Sequence, residues 1–222
     1  PSSVEYGSDG LAGAVAYFTK DPSDLVEEGE HYFSANFSTQ QANKQEKLNL
    51  LTAHAGENIE GLLQLVNRNL NNTELHDDFS LEANPFEGTQ KSLFAKTVFH
   101  FSESTILSLI LDMQDWDGDW MVNTEKGFVY FPVPRAVSSS LGEDEGLRER
   151  ISFKVNLSPE NSSFLDWGSF TLYTQDTEQK QITVQHQVSF LNGMQAAPTP
   201  TMRHSNFQFE QSLKGLSFQA YK

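Results

Sequence analysis

A chain of 222 residues with 37% hydrophobic residues and seventeen Phe has enough apolar surface to offset the entropy of ordering, which excludes an intrinsically disordered protein. Fifteen Lys and Arg against thirty Asp and Glu give a net charge of −15, which argues against nucleic acid and anionic membrane surfaces as partners, because both need a basic footprint. Cysteine is absent, so disulfides, thiolate metal sites and cysteine nucleophiles are excluded and any metal must sit on oxygen or imidazole.

The start at Pro1-Ser2-Ser3 fits a removed leader and equally a trimmed or processed terminus. The longest N-terminal apolar run, from Gly10 to Phe18, is nine residues, well below the roughly twenty a membrane-crossing helix needs. No membrane insertion is therefore expected, and the compartment expected is extracellular, periplasmic or particle-associated.

In chain order, strands are predicted at 14–19 and 31–38. A helix is predicted over about 42–70, because Leu51, Ala55, Ile59, Leu62, Leu63, Val66 and Leu70 recur at spacings of three and four. Gly56 and Gly61 mark a break inside it, near His54-Ala55-Gly56. Strand 93–102 follows, then 106–111, which reads as helix or buried strand, and strand 127–132. Period-two alternation is clean at 151–157 and at 182–190, where Ile182, Val184, His186, Val188 and Phe190 share one side. Further strands are predicted at 169–173, 206–211 and 216–221. About nine strands with connections too short for repeated helical crossovers imply a single mainly β domain over 1–222. Its expected form is an antiparallel sandwich or jelly roll with an inserted helix, or a barrel that the helix plugs or covers.

The densest polar constellation is L-D-M-Q-D-W-D-G-D-W-M-V-N-T-E-K-G, with Asp112, Asp115, Asp117, Asp119, Asn123 and Glu125. Close aspartates repel unless a cation or solvent relieves them. With Asp115 first, Asp117, Asp119 and Asn123 fall at the third, fifth and ninth positions of a calcium loop. That stretch resembles the calcium loops of EF-hands and dockerins, which implies calcium as a ligand. Trp116, Trp120 and Trp167 lie in polar surroundings, and aromatic faces beside carboxylates suit a sugar's apolar face and hydroxyl rim.

A second resemblance runs from His76-x-Asp78 through D-W-D-G-D-W and E-K-G-F-V-Y-F-P to R-E-R-I-S-F-K-V-N-L. It resembles the iron(II)/2-oxoglutarate oxygenases, and implies a double-stranded β-helix in which His76 and Asp78 hold iron and Arg150, with Ser152, binds the cosubstrate carboxylate. Arg135 occupies the slot of the family's distal histidine, which makes such a site degenerate, since a guanidinium does not ligate iron. His186, on the apolar side of its strand, is a further candidate base or ligand.

No G-x-S-x-G elbow, phosphate loop or dinucleotide fingerprint is present, so no common serine hydrolase, NTPase or dehydrogenase chemistry is indicated. The function expected is a non-catalytic binding or assembly module for a carbohydrate or protein surface, stabilised by calcium. The oxygenase-like jelly roll is the alternative.

Overall fold

A computed structural model describes residues 19–72, 83–130, 134–159, 165–191, 194–195 and 200–222. It is almost entirely antiparallel β. Among the described residues ten strands run in chain order: β1 (His31–Gln40), β2 (Gln45–Ala55), β3 (Ile59–Asn71), β4 (Phe86–Ser102), β5 (Thr105–Met121), β6 (Gly127–Val129), β7 (Arg135–Leu157), β8 (Trp167–Leu191), β9 (Met194–Gln195) and β10 (Thr201–Tyr221). The eight long strands are hydrogen-bonded in the order β1-β2-β3-β4-β5-β7-β8-β10; short β6 adds to β7 and β9 to β8. Among the described residues, β1 and β10 are the two edges of this meander.

The antiparallel, mainly β architecture agrees with the sequence; the inserted helix does not. Residues 45–71 form the β2–β3 hairpin, in register from Glu46 opposite Asn69 to Ala55 opposite Glu60. The three-and-four spacing of its leucines arises because both faces of this hairpin carry them: Leu51 and Leu62 point one way, Leu63 and Leu65 the other. The predicted break at Gly56 is the hairpin turn, where the Gly56 N–H donates to the Ile59 carbonyl at 3.0 Å.

Other boundaries move as well. The pairs of short strands predicted at 169–173 and 182–190, and at 206–211 and 216–221, are continuous strands of 25 and 21 residues. The stretch 106–111 is strand within β5. Of the predicted strand 14–19, only Thr19 lies within the described residues.

Register fixes which side chains share a face, because cross-strand partners point the same way and neighbours along a strand point oppositely. One row runs Leu62, Lys96, Ile110, Ser152, Tyr173, Gly215; the adjacent one runs Leu63, Ala95, Leu111, Ile151, Thr174, Lys214. Continuing these rows divides the sheet into a polar face and an apolar face.

Small polar residues on the polar face are hidden, with Ser108 and Ser152 each 6% exposed, whereas large apolar ones on the other face are open, with Leu109 at 46% and Ile151 at 49%. Side chains crowd on the concave side of a curved sheet and splay on the convex side. The sheet therefore curls with its polar face inside.

Aromatic side chains on the concave face lie over glycines of the neighbouring strand. Trp116 covers Gly146 and Tyr173 covers Gly215, each across a paired position, and a Cβ at either glycine would collide with the ring. The missing side chain is what lets the ring lie flat against the backbone. Gly215→Val is expected to lower stability by about 1–3 kcal/mol through overpacking. Adding Tyr173→Ala should recover part of that loss, read as a non-additive double-mutant cycle in denaturant unfolding.

Candidate functional site

The concave face holds a groove of about 910 Å³ walled by β4, β5 and β7. The segment ahead of β1 lies across one side of it. A 3-10 turn at Pro22–Asp24 seats the fully buried Pro22 against β2 and β3. Two charged contacts hold this segment. Lys96 Nζ lies 2.6 Å from Asp21 Oδ1 and also donates to Thr19 Oγ1 and the Lys20 carbonyl. The Ser23 N–H donates to Glu60 Oε2 at 3.1 Å, while the other Glu60 oxygen meets His100 Nε2 at 2.7 Å.

Further along the groove, Arg148 Nη2 donates to Asp112 Oδ2 at 2.8 Å. Arg150 stacks 4.6 Å above the Tyr173 ring and its Nε donates to Ser152 Oγ at 3.2 Å. Lys154 sits two positions beyond Ser152, beside Ser108 of β5 and Thr171 of β8. Short hydroxyl side chains around it leave the groove open at this level. At the opposite end, the 3-10 turn Asn123–Glu125 folds over the same face, where Glu125 Oε2 accepts from Ser140 Oγ and Gln185 Nε2, both at 2.6 Å.

The residues singled out from sequence distribute as follows. Asp115, Asp117 and Asp119 are exposed and lie on one straight strand, successive side chains about 7 Å apart along it. They therefore run as a row and do not wrap around a common point. Asp117 accepts a hydrogen bond from Thr89 Oγ1. Asn123 is apart from them, buried in its turn and donating to the Ala83 carbonyl. Among the described residues no group of three or more His, Asp or Glu is placed to hold a metal.

Trp116 and Trp120 alternate with these aspartates and so occupy the opposite, concave face. Trp116 lies over Gly146, Trp120 stacks on Phe86 at 4.1 Å between centroids, and Trp167 stacks on Tyr221 at 5.4 Å. His76 and Asp78 lie outside the described residues. Arg150 and Ser152 are adjacent in the groove, whereas Arg135 lies at the far end of β7, paired with Val129 and Ser189. His186 is on the convex face with Ile182, Val184 and Val188, its carbonyl accepting from Ser138 Oγ.

Sequence reading did not single out Glu60, Lys96, His100, Asp112 as a groove residue, Arg148 or Lys154. A usable signal existed for β7, where Arg148, Arg150, Ser152, Lys154 and Asn156 occupy alternate positions. No protein-family model and no curated protein matches the chain.

Lys96 is buried and Asp21 half-exposed, so removing either has unequal consequences. Asp21→Ala leaves a buried ammonium without its counter-charge, whereas Lys96→Met leaves a carboxylate that turns to water. Trypsin cleavage after the exposed Lys20 should accelerate about fivefold or more in Asp21→Ala and less than about twofold in Lys96→Met, followed by mass spectrometry.

Proposed function

We propose that this chain forms wall of a transmembrane β-barrel of the outer-membrane type, with the polar groove facing its lumen and binding or passing a polar solute. The observation that carries this reading is a continuous apolar band on the convex face. Its rows include Phe33, Leu50, Leu63, Leu93, Leu109, Phe153, Leu172 and Phe218, one from each long strand. Five of these, Phe33, Leu63, Leu109, Phe153 and Leu172, are more than a third exposed, as is Phe218. A protein facing water on this side would leave a very large apolar patch uncovered.

The dimensions support the same reading. On β5 the band runs from Thr105 to Met113 and ends at Asp115; on β7 it ends at Glu149, on β8 at Asp176 and on β10 at Lys214. Nine residues span about 27 Å along a strand, or about 21 Å vertically at a tilt near 40°. Membrane-spanning strands use about nine to eleven residues beneath an apolar belt about 25 Å tall. Mostly apolar hollows of about 390 Å³ near Leu50, Leu65 and Leu93, and about 480 Å³ near Phe153, Leu172 and Leu216, indent the band and reach its charged edge at Lys91, Asp115 and Lys214.

The two ends of the sheet differ. The connections next to the band cover residues 56–58, 103–104 and 158–166; those at the other end cover 41–44, 72–85, 122–134 and 192–200. The two longest connections, 72–85 and 122–134, lie at one end, where the strands also extend beyond the belt, as the longer loops of outer-membrane barrels do.

No helix among the described residues is long and apolar enough to cross a membrane, a criterion that does not apply to strands. The expectation of no membrane insertion used that helical criterion. In hydrocarbon an unpaired backbone group costs several kcal/mol, so the β1 and β10 edges must find partners there, in each other or in further strands. When the full chain is refolded into phospholipid vesicles, Leu109→Arg, at the middle of the band, should reduce folding stability by about 2–4 kcal/mol, and Asp117→Arg, beyond it, by less than about 1 kcal/mol. Equal effects of the two substitutions, or failure of the wild-type chain to associate with vesicles, would reject the proposal.

A further inference from the structure

We infer that the concave groove binds a small multiply charged anion, bearing carboxylate or phosphate groups, at Arg150 and Lys154. The inference deepens the barrel reading and takes from it only that the concave face is the lumen. The protein is strongly acidic overall, but its strands separate the signs. On the concave face eight Lys and Arg stand against three acids, Glu60, Asp112 and Asp144, a balance of +5. On the convex face eleven acids stand against Lys91, Lys180 and Lys214, a balance of −8.

Solubility alone explains the acids beyond the apolar band but not cations gathered on the inward side. Charge of one sign lining a concave, low-dielectric surface focuses the field and raises the local concentration of the opposite ion. Basic side chains serve this purpose in pores that pass anions and phosphates.

The pairing within the groove locates the unspent charge. Asp21 neutralises Lys96 and Asp112 neutralises Arg148. Glu60 is taken by His100 and the Ser23 N–H. Among the described residues Arg150 and Lys154 form no ion pair, for Asp112, opposite Arg150 in the ladder, is bonded to Arg148. Arg150 is nevertheless positioned: Tyr173 supports its guanidinium from one side and Ser152 receives its Nε, which leaves the two terminal nitrogens to form a fork. The two cations are four positions apart on one face of β7, about 13 Å along the strand between their Cα atoms, with Ser152 between them. The long Arg and Lys side chains can close over much of that distance, so their charged ends can hold the two ends of one small anion, with the intervening Ser152 and neighbouring Ser108 hydroxyls available to it.

The test uses the full chain folded in zwitterionic micelles and titrated calorimetrically with succinate, inorganic pyrophosphate and glucose. At least one anion should bind, glucose should not, and raising the salt should weaken binding. The Arg150→Gln/Lys154→Gln variant should bind the anion at least about tenfold more weakly, and Arg150→Glu alone should do likewise. The convex-face pair Lys180→Gln/Lys214→Gln should bind within about twofold of wild type. Preference for pyrophosphate assigns a phosphate ligand, and preference for succinate a carboxylate. No binding of either anion by the wild-type chain, or equal loss in the concave and convex variants, would overturn the inference. Vesicle insertion, measured separately, distinguishes the two claims: anion binding without insertion retains the site and removes the barrel, and insertion without anion binding does the reverse.

Discussion

Period-two alternation, held in register across eight neighbouring strands, is the constraint from which the rest of this structure follows. Each backbone ladder places a residue opposite a partner of the same facing, so a slip of one position anywhere would send leucines into the groove and serines outward. From β1 to β10 the register is kept over strands as long as 25 residues, apart from local shifts at His100/Ser102 and Val137/Ser139 near strand ends. Curvature comes from the same source. Hydroxyls and glycines on the concave side let aromatic rings such as Trp116 and Tyr173 lie against the next strand, while leucines and phenylalanines diverge on the convex side.

Much of this was legible residue by residue, and the rest failed for identifiable reasons. The alternation of 151–157 and of Ile182 to Phe190 reads directly as strand with one apolar side, and both segments are so. The β2–β3 hairpin reads as a helix because leucines occupy both of its faces, a pattern that periodicity within one window does not separate from a helical stripe. The long strands β8 and β10 read as pairs of short ones because Asp176, Glu178 and Lys180 in β8, and Ser212, Lys214 and Gly215 in β10, interrupt the apolar signal without interrupting the strand. Alternation also says that one face is apolar without saying what covers it. That is why the sequence leads to the expectation of a protein core, whereas in the structure the convex band stands exposed.

The acidic and aromatic cluster near residue 116 illustrates the same limit. As a string, D-W-D-G-D-W looks like one site. On a strand its aspartates and tryptophans point to opposite faces, the acids to the convex exterior beyond the apolar band and the rings into the groove. The groove's own chemistry is assembled from β3, β4, β5, β7 and the segment ahead of β1, so Glu60, His100 and Lys96 meet Ser23 and Asp21 only through tertiary structure. Charge follows the faces too. A chain of net −15 presents a basic inner wall because its acids are placed on the other side of the same strands.

The most direct test of this account is a depth scan along β5. The natural chain has no cysteine, so single-cysteine variants from Thr105 to Met121 can each carry an environment-sensitive fluorophore without background labelling. In vesicles containing brominated lipids, quenching should alternate strictly from Thr105 to Met113, strong at Leu107, Leu109 and Leu111 and weak at Ser108, Ile110 and Asp112. It should vanish from Asp115 onward. Uniform quenching along the strand, or none at Leu109, would contradict the account.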